Sequence, residues 1–143
     1  MRALVTGAGS GIGRATAEVL TERGHEVVAT ARRRDALDGL DVAERLVLDV
    51  TSDESVAACI DQAGPLDVLV NNAGITETGP LETYPHDVLL KMFETNVFGP
   101  MRMIRAVVPA MRERGAGVVV NVTSVEGRVA APLAGGYCGT KHA

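Results

Sequence analysis

Short runs of Val, Leu and Ala alternate along the chain with stretches in which apolar residues recur at helical spacing. The runs at 3–6, 26–30, 44–48, 67–70 and 118–122 are four or five residues long and mostly apolar, as strands buried on both faces are. Between the first two, Ile12, Ala15, Thr16, Val19 and Leu20 fall at i, i+3, i+4, i+7 and i+8, and Gly24 ends the pattern, so an amphipathic helix is predicted there. After the third run, Thr51 and Glu54 stand in capping-box relation ahead of Val56, Ala57, Ile60 and Ala63, which predicts a second helix. From 86 to 114 the apolar positions are dense enough for one or two long helices. Pro100 and Pro109 each remove a backbone donor, and a break is expected near 96–100. Strands alternating with helices make βαβ units, and right-handed crossovers order them 3-2-1-4-5 in a doubly wound parallel sheet of the α/β class. No repeat, linker or composition shift divides the chain, so residues 1–143 are expected to form a single Rossmann-type domain.

Composition narrows the function classes. The chain is 46% hydrophobic and 22% charged, which sets aside disordered and fibrous classes. Aromatic residues are 3% with no Trp, and the net charge is -4, so neither base stacking nor a basic field favours nucleic acid. No apolar stretch approaches the length of a membrane span, and a strand-like run follows Met1 with no room for a leader, so a cytoplasmic protein with no membrane partner is expected. Cys59 and Cys138 lack metal-ligand spacing and are expected to be free thiols. His25, His86 and His142 share no such spacing either, and no metal site is expected.

The chemistry concentrates in particular motifs. Thr6-Gly7-Ala8-Gly9-Ser10-Gly11-Ile12-Gly13 lies between the first strand and the first helix, where an open parallel sheet places a phosphate on a helix N-terminus. The register is not G-x-G-x-x-G, because Ile12 takes the last glycine place, but G-x-x-x-G-x-G through Gly7, Gly11 and Gly13. Asn71-Asn72-Ala73-Gly74 follows the fourth run, Asp49 and Val50 follow the third, and Asn96 lies in the long helical stretch. Ser124 follows the fifth run, thirteen residues before Tyr137 of Tyr137-Cys138-Gly139-Thr140-Lys141. This set of motifs, in this order, resembles the short-chain dehydrogenase/reductase family across residues 2–143. The resemblance implies a nicotinamide dinucleotide held by Gly7, Ser10, Gly11, Ile12, Gly13, Arg32, Asp49, Val50, Asn72, Ala73, Gly74, Tyr137 and Lys141. It also implies a small carbonyl or alcohol substrate and a homo-oligomer formed through the helices near Val97 and Tyr137.

An acid at the end of the second strand would accept hydrogen bonds from the ribose hydroxyls of NAD and repel a 2′-phosphate. That place is Ala31, followed by Arg32, whose planar guanidinium suits phosphate, so NADP is expected over NAD. Carbonyl reduction needs a proton donor beside the developing alkoxide, and Tyr137 is the candidate. A free phenol ionises near ~10, and Lys141, one helical turn on, brings a positive charge that favours the ionised form. Ser124 is expected to hydrogen-bond the substrate oxygen, and Asn96 to support a water relay toward Lys141.

Ala143 falls one turn into the helix carrying Tyr137, whereas the family fold continues with further strands and a substrate loop. The C-terminal part of that fold is therefore expected to be missing, leaving 118–122 as an uncovered edge and Lys141 loosely held. The alternative reading is a catalytically incomplete dinucleotide-binding or interaction module.

Overall fold

The computed structural model describes residues 1–143. Strands β1 (Arg2–Val5), β2 (Glu26–Ala31), β3 (Glu44–Val47), β4 (Val68–Asn71) and β5 (Val118–Asn121) pair in parallel in the order β3-β2-β1-β4-β5. Each begins and ends within one residue of the apolar run that predicts it, because buried parallel strands carry their signal in every residue.

Alternate strand residues divide between two cores. Leu4, Val28 and Leu69 face α2 (Asp53–Ala63) and α4 (Gly99–Arg114), packing with Cys59, Met103, Val107 and Met111. Val5, Val27, Ala29 and Val70 face the other way, against Ala17 of α1 (Gly11–Glu22) and against Leu37 and Leu40. β5 lies last in the sheet order, with Val118 51% and Val120 43% exposed. Within the layer formed by α2 and α4, Arg102 of α4 reaches Asp53 at the start of α2 at 3.0 Å and Glu94 at 2.8 Å.

Two local expectations are corrected. The cap of α2 is Ser52, whose hydroxyl accepts from the Ser55 N–H at 3.1 Å, and not Thr51. Thr51 is drawn away by Asp49, which accepts from both its N–H and its hydroxyl. The break near 96–100 is a widening rather than a stop: α3 (His86–Phe93) runs into α4 through a π-helical turn, Glu94–Phe98, in which the Gly99 N–H reaches back five residues to the Glu94 carbonyl. Pro100 has no N–H for the Asn96 carbonyl, so the α-ladder is interrupted at this point, and the π turn accommodates the interruption. Pro109 sits inside α4 without ending it. The last helix, α5 (Gly135–His142), packs on α3 and on the turn that follows β5.

Cys59 is fully enclosed, and burial, aided by the charge of Glu44, pushes its thiol up to about 11; Cys138 is buried as well. Both are free. An aromatic disulfide reagent at pH 8 is expected to label neither thiol in the folded protein and both after denaturation. Rapid labelling of Cys59 without denaturant would show that this core opens.

Candidate functional site

A cleft of about 1160 Å³ lies across the carboxyl ends of β1, β2, β3 and β4. Its floor is the loop after β1, which is held from two sides. The Ala8 N–H donates to the Thr30 carbonyl at 2.8 Å, and the Thr6 hydroxyl accepts from the N–H groups of Asn72 at 3.0 Å and Ala73 at 2.9 Å. The Asn72 side-chain amide donates to the carbonyls of Thr6 at 2.9 Å and Gly7 at 3.2 Å. Gly7 needs its φ of +67°, and a Cβ there would stand 2.8 Å from the Ala73 Cα. Gly11 faces open space, as the cleft requires. Gly13 does not line the cleft: a Cβ on it would overlap both the Asn72 amide nitrogen and the Gly7 carbonyl, so its place is the packing of α1 beneath the loop.

Ser10, Gly11, Ile12, Arg32, Asp49, Val50, Asn72, Ala73 and Gly74 line the cleft where the sequence places them. The arginine run separates into three fates. Arg33 pairs with Asp35 at 3.3 Å, Arg34 donates to the Arg45 carbonyl, and Arg32 is exposed at the cleft with no partner in the chain. Hydrogen bonds from the Thr51 hydroxyl and N–H hold the Asp49 carboxyl below the usual carboxylate range; the positive charges of Arg32 and Arg102 add to this, and partial burial opposes it. Asp49 is therefore an ionised acceptor. Thr95 of the π turn and Lys91 of α3 also line the cleft. Sequence reasoning missed both, since nothing in a helical pattern marks which exposed face will meet a cleft.

Ser124, Tyr137 and Lys141 stand beside the cleft rather than in its wall. Gly74 joins the two regions: a Cβ on it would lie 3.3 Å from Asn96 Oδ1 and 3.9 Å from Lys141 Nζ. Asn96 is buried, and its side chain accepts from the Ile75 N–H at 2.8 Å and donates to the Ile75 carbonyl at 2.8 Å and the Thr140 hydroxyl at 3.0 Å. Its side chain thus fastens the segment after Gly74 to α5. Lys141 Nζ donates to the Val122 carbonyl at 3.1 Å and lies 5.7 Å from the Tyr137 ring centroid. Burial lowers its pKa from 10.5. The Tyr137 hydroxyl makes no hydrogen bond within the chain. The Ser124 hydroxyl accepts from the Glu126 N–H at 3.2 Å, leaving its own hydrogen uncommitted. Gly127, in the same turn, packs so closely on α5 that a Cβ would come within 2.5 Å of the Lys141 carbonyl. No three His, Cys, Asp or Glu side chains are grouped to hold a metal ion, and no helix is long and apolar enough to cross a membrane.

Sheet order and cleft together define a Rossmann-type α/β protein with its cleft at the carboxyl edge of the sheet. A family model described as short chain dehydrogenase matches residues 1–143, and the chain belongs to that family. It is 38% identical over 144 residues to a 3-ketodihydrosphingosine reductase from Bacteroides thetaiotaomicron, covering 98% of this chain and 53% of the relative. A short-chain dehydrogenase crystal structure from Streptomyces avermitilis superposes with a TM-score of 0.93 at 45% identity, over 99% of this chain and 56% of that one. A gluconate 5-dehydrogenase from Burkholderia cenocepacia, solved with NADP and tartrate, gives 0.90 at 33% identity, over 99% and 60%. The chain spans about half the length of the curated relatives it matches.

Proposed function

We propose that residues 1–143 form one NADP-binding domain of an oxidoreductase that interconverts a small carbonyl compound and its alcohol, in the cytoplasm and as a homo-oligomer. The observation that carries the reading is the junction at Gly74, which sets a phosphate-type cleft directly against Asn96, Lys141 and the helix of Tyr137. A dinucleotide fits the residues present: the glycine loop leaves backbone amides at the start of α1 facing an open cleft, and Ser10 does not cap them with its side chain. Asp49 is an ionised acceptor for an adenine amino group, with Val50 beside it. Arg32 is an unpaired cation beside an uncharged Ala31, which supports NADP over NAD. Two unpaired buried thiols agree with a reducing compartment. Phe98 and Met101 project from the start of α4, 44% and 42% exposed, and support a contact between copies there.

When bound, the nicotinamide supplies the hydride for the carbonyl carbon. Every other step belongs to the chain. Ser124 donates its free hydrogen to the carbonyl oxygen as negative charge develops there. Tyr137 gives its phenolic proton to that oxygen, completing the alcohol, and the phenolate left behind is stabilised by the ammonium of Lys141. The bond from Lys141 Nζ to the Val122 carbonyl supports this role by holding the charge near the Tyr137 ring. Oxidation of an alcohol runs the same proton path backwards, with the Tyr137 phenolate as base.

Fluorescence titration of the protein with NADPH and NADH, combined with turnover on a panel of aldehydes and ketones, tests the reading. NADPH is expected to bind more tightly than NADH. Ala31→Asp is expected to invert the preference by weakening NADPH about 10- to 100-fold, because it sets a carboxylate against the 2′-phosphate. Tight NADPH binding with no turnover on any carbonyl would favour a dinucleotide-binding module instead.

A further inference from the structure

α5 meets its neighbour α3 through glycines. A Cβ on Gly136 would stand 2.8 Å from the Met92 side chain and 3.1 Å from that of Leu89, and a Cβ on Gly139 would lie 3.7 Å from the Phe93 ring. This contact is apolar on the α3 side and carries no side chain on the α5 side, and apolar burial has no direction. It holds α5 down without fixing how far the helix turns or slides. Tyr137 and Lys141 both ride on that helix.

A directed contact comes from Thr140, which is 4% exposed. Its hydroxyl has a single hydrogen to give. The Tyr137 carbonyl, 2.8 Å away, can only accept, so the hydrogen goes there, and a lone pair is left for the Asn96 side-chain amide at 3.0 Å. Asn96 is committed in turn: Oδ1 takes the Ile75 N–H, while Nδ2 gives to the Ile75 carbonyl and to Thr140. Ile75 lines the cleft. Hydrogen bonds therefore run without a gap from the cleft wall through Asn96 and Thr140 to the backbone of Tyr137. Asn96 and Thr140 are buried, where such bonds are stronger and costly to leave unmade. Two further contacts hold α5 less selectively. The bond from Lys141 to the Val122 carbonyl is made at the end of a flexible stem, which follows the helix rather than setting it. Gly127 limits the approach to the Lys141 backbone but has no side chain to bind it.

We propose that Thr140 is a positioning residue of the reaction: its two hydrogen bonds set the turn of α5 that presents the Tyr137 proton and the Lys141 charge to the substrate oxygen. It touches no reacting atom. This rests on the carbonyl-reduction reading given above. The hydroxyl is the part that matters, since it both accepts from Asn96 and donates to Tyr137. A valine of the same shape would leave one Asn96 hydrogen without an acceptor and let α5 settle elsewhere.

Thr140→Val is expected to lower kcat about 5- to 30-fold, as a misplaced proton donor does, while NADPH affinity stays within about threefold. The affinity is spared because both bonds from Asn96 to Ile75 in the cleft wall survive. Thr140→Ser, which keeps the hydroxyl, should recover most of the lost turnover. Amide exchange within α5 should quicken in Thr140→Val and slow again in Thr140→Ser, a readout that needs no turnover. In a Tyr137→Phe background, Thr140→Val should cost less than about twofold more, because it acts through the placement of that phenol. Unchanged kcat in Thr140→Val, or equal deficits in Thr140→Val and Thr140→Ser, would overturn the assignment and leave the oxidoreductase reading intact. Joint loss of turnover and NADPH affinity would also overturn it, by marking Thr140 as a residue of packing alone. Absence of turnover in the unaltered protein would overturn the carbonyl-reduction reading and this assignment together.

Discussion

Tyr137→Phe is expected to lower kcat for carbonyl reduction by about 10²- to 10⁴-fold while NADPH titrates close to its original affinity. The substitution removes one oxygen, and that oxygen makes no hydrogen bond within the chain, so folding has little to lose. The phenyl ring keeps its place on α5, where Gly136 packs on Met92 and Leu89. Only the proton donor disappears. The same geometry sets a pH limit: burial makes Lys141 easier to deprotonate than a free lysine, so its charge is lost as pH rises through a value below 10.5. Turnover that needs that charge should therefore fall on the alkaline side earlier than an exposed lysine would predict, and a kcat profile against pH reads this directly. Full activity in Tyr137→Phe would remove the tyrosine from the mechanism.

Gly13→Ala is expected to weaken NADPH by more than about tenfold and to cost about 1–3 kcal/mol of folding stability, though residue 13 does not line the cleft. The added methyl has no room, because it meets the Gly7 backbone and the Asn72 amide together. Relief requires α1 to move away from the loop or Asn72 to release the Thr6 and Gly7 carbonyls, and either motion spoils the floor of the cleft. Denaturant melts and NADPH titration on the same sample separate the outcomes. A stable Gly13→Ala protein with unaltered affinity would show that the loop does not depend on this packing. The two substitutions act on different steps, one on proton transfer and one on binding.

Much of the fold is legible because its signals are local. Five buried parallel strands write themselves as short apolar runs, and the helices between them as a 3.6-residue period, so the order 3-2-1-4-5 needs only the right-handed crossover rule. The helix caps were harder to read. Thr51 and Ser52 are both good capping residues, and the choice between them depended on Asp49, which lies outside the helix. The π turn at Glu94–Phe98 was visible only as a disturbance at Pro100, since a missing donor shows where a ladder fails but not how the backbone repairs it.

The sequence by itself determined the elements, their order, the position of the glycine loop at the first strand-to-helix junction, and the spacing of Ser124, Tyr137 and Lys141 along the chain. Those are properties of one segment at a time, dictated by backbone period and glycine spacing. The tertiary structure alone decided that Gly13 packs while Gly11 faces the cleft, that Arg32 is the free member of its run, that the Asn96 side chain is a strut, and that Lys91 and Thr95 reach the cleft. Each of these depends on how one element is rotated and stacked against another. That rotation is set by core packing across the sheet, between residues tens of positions apart, and no local window of sequence contains it.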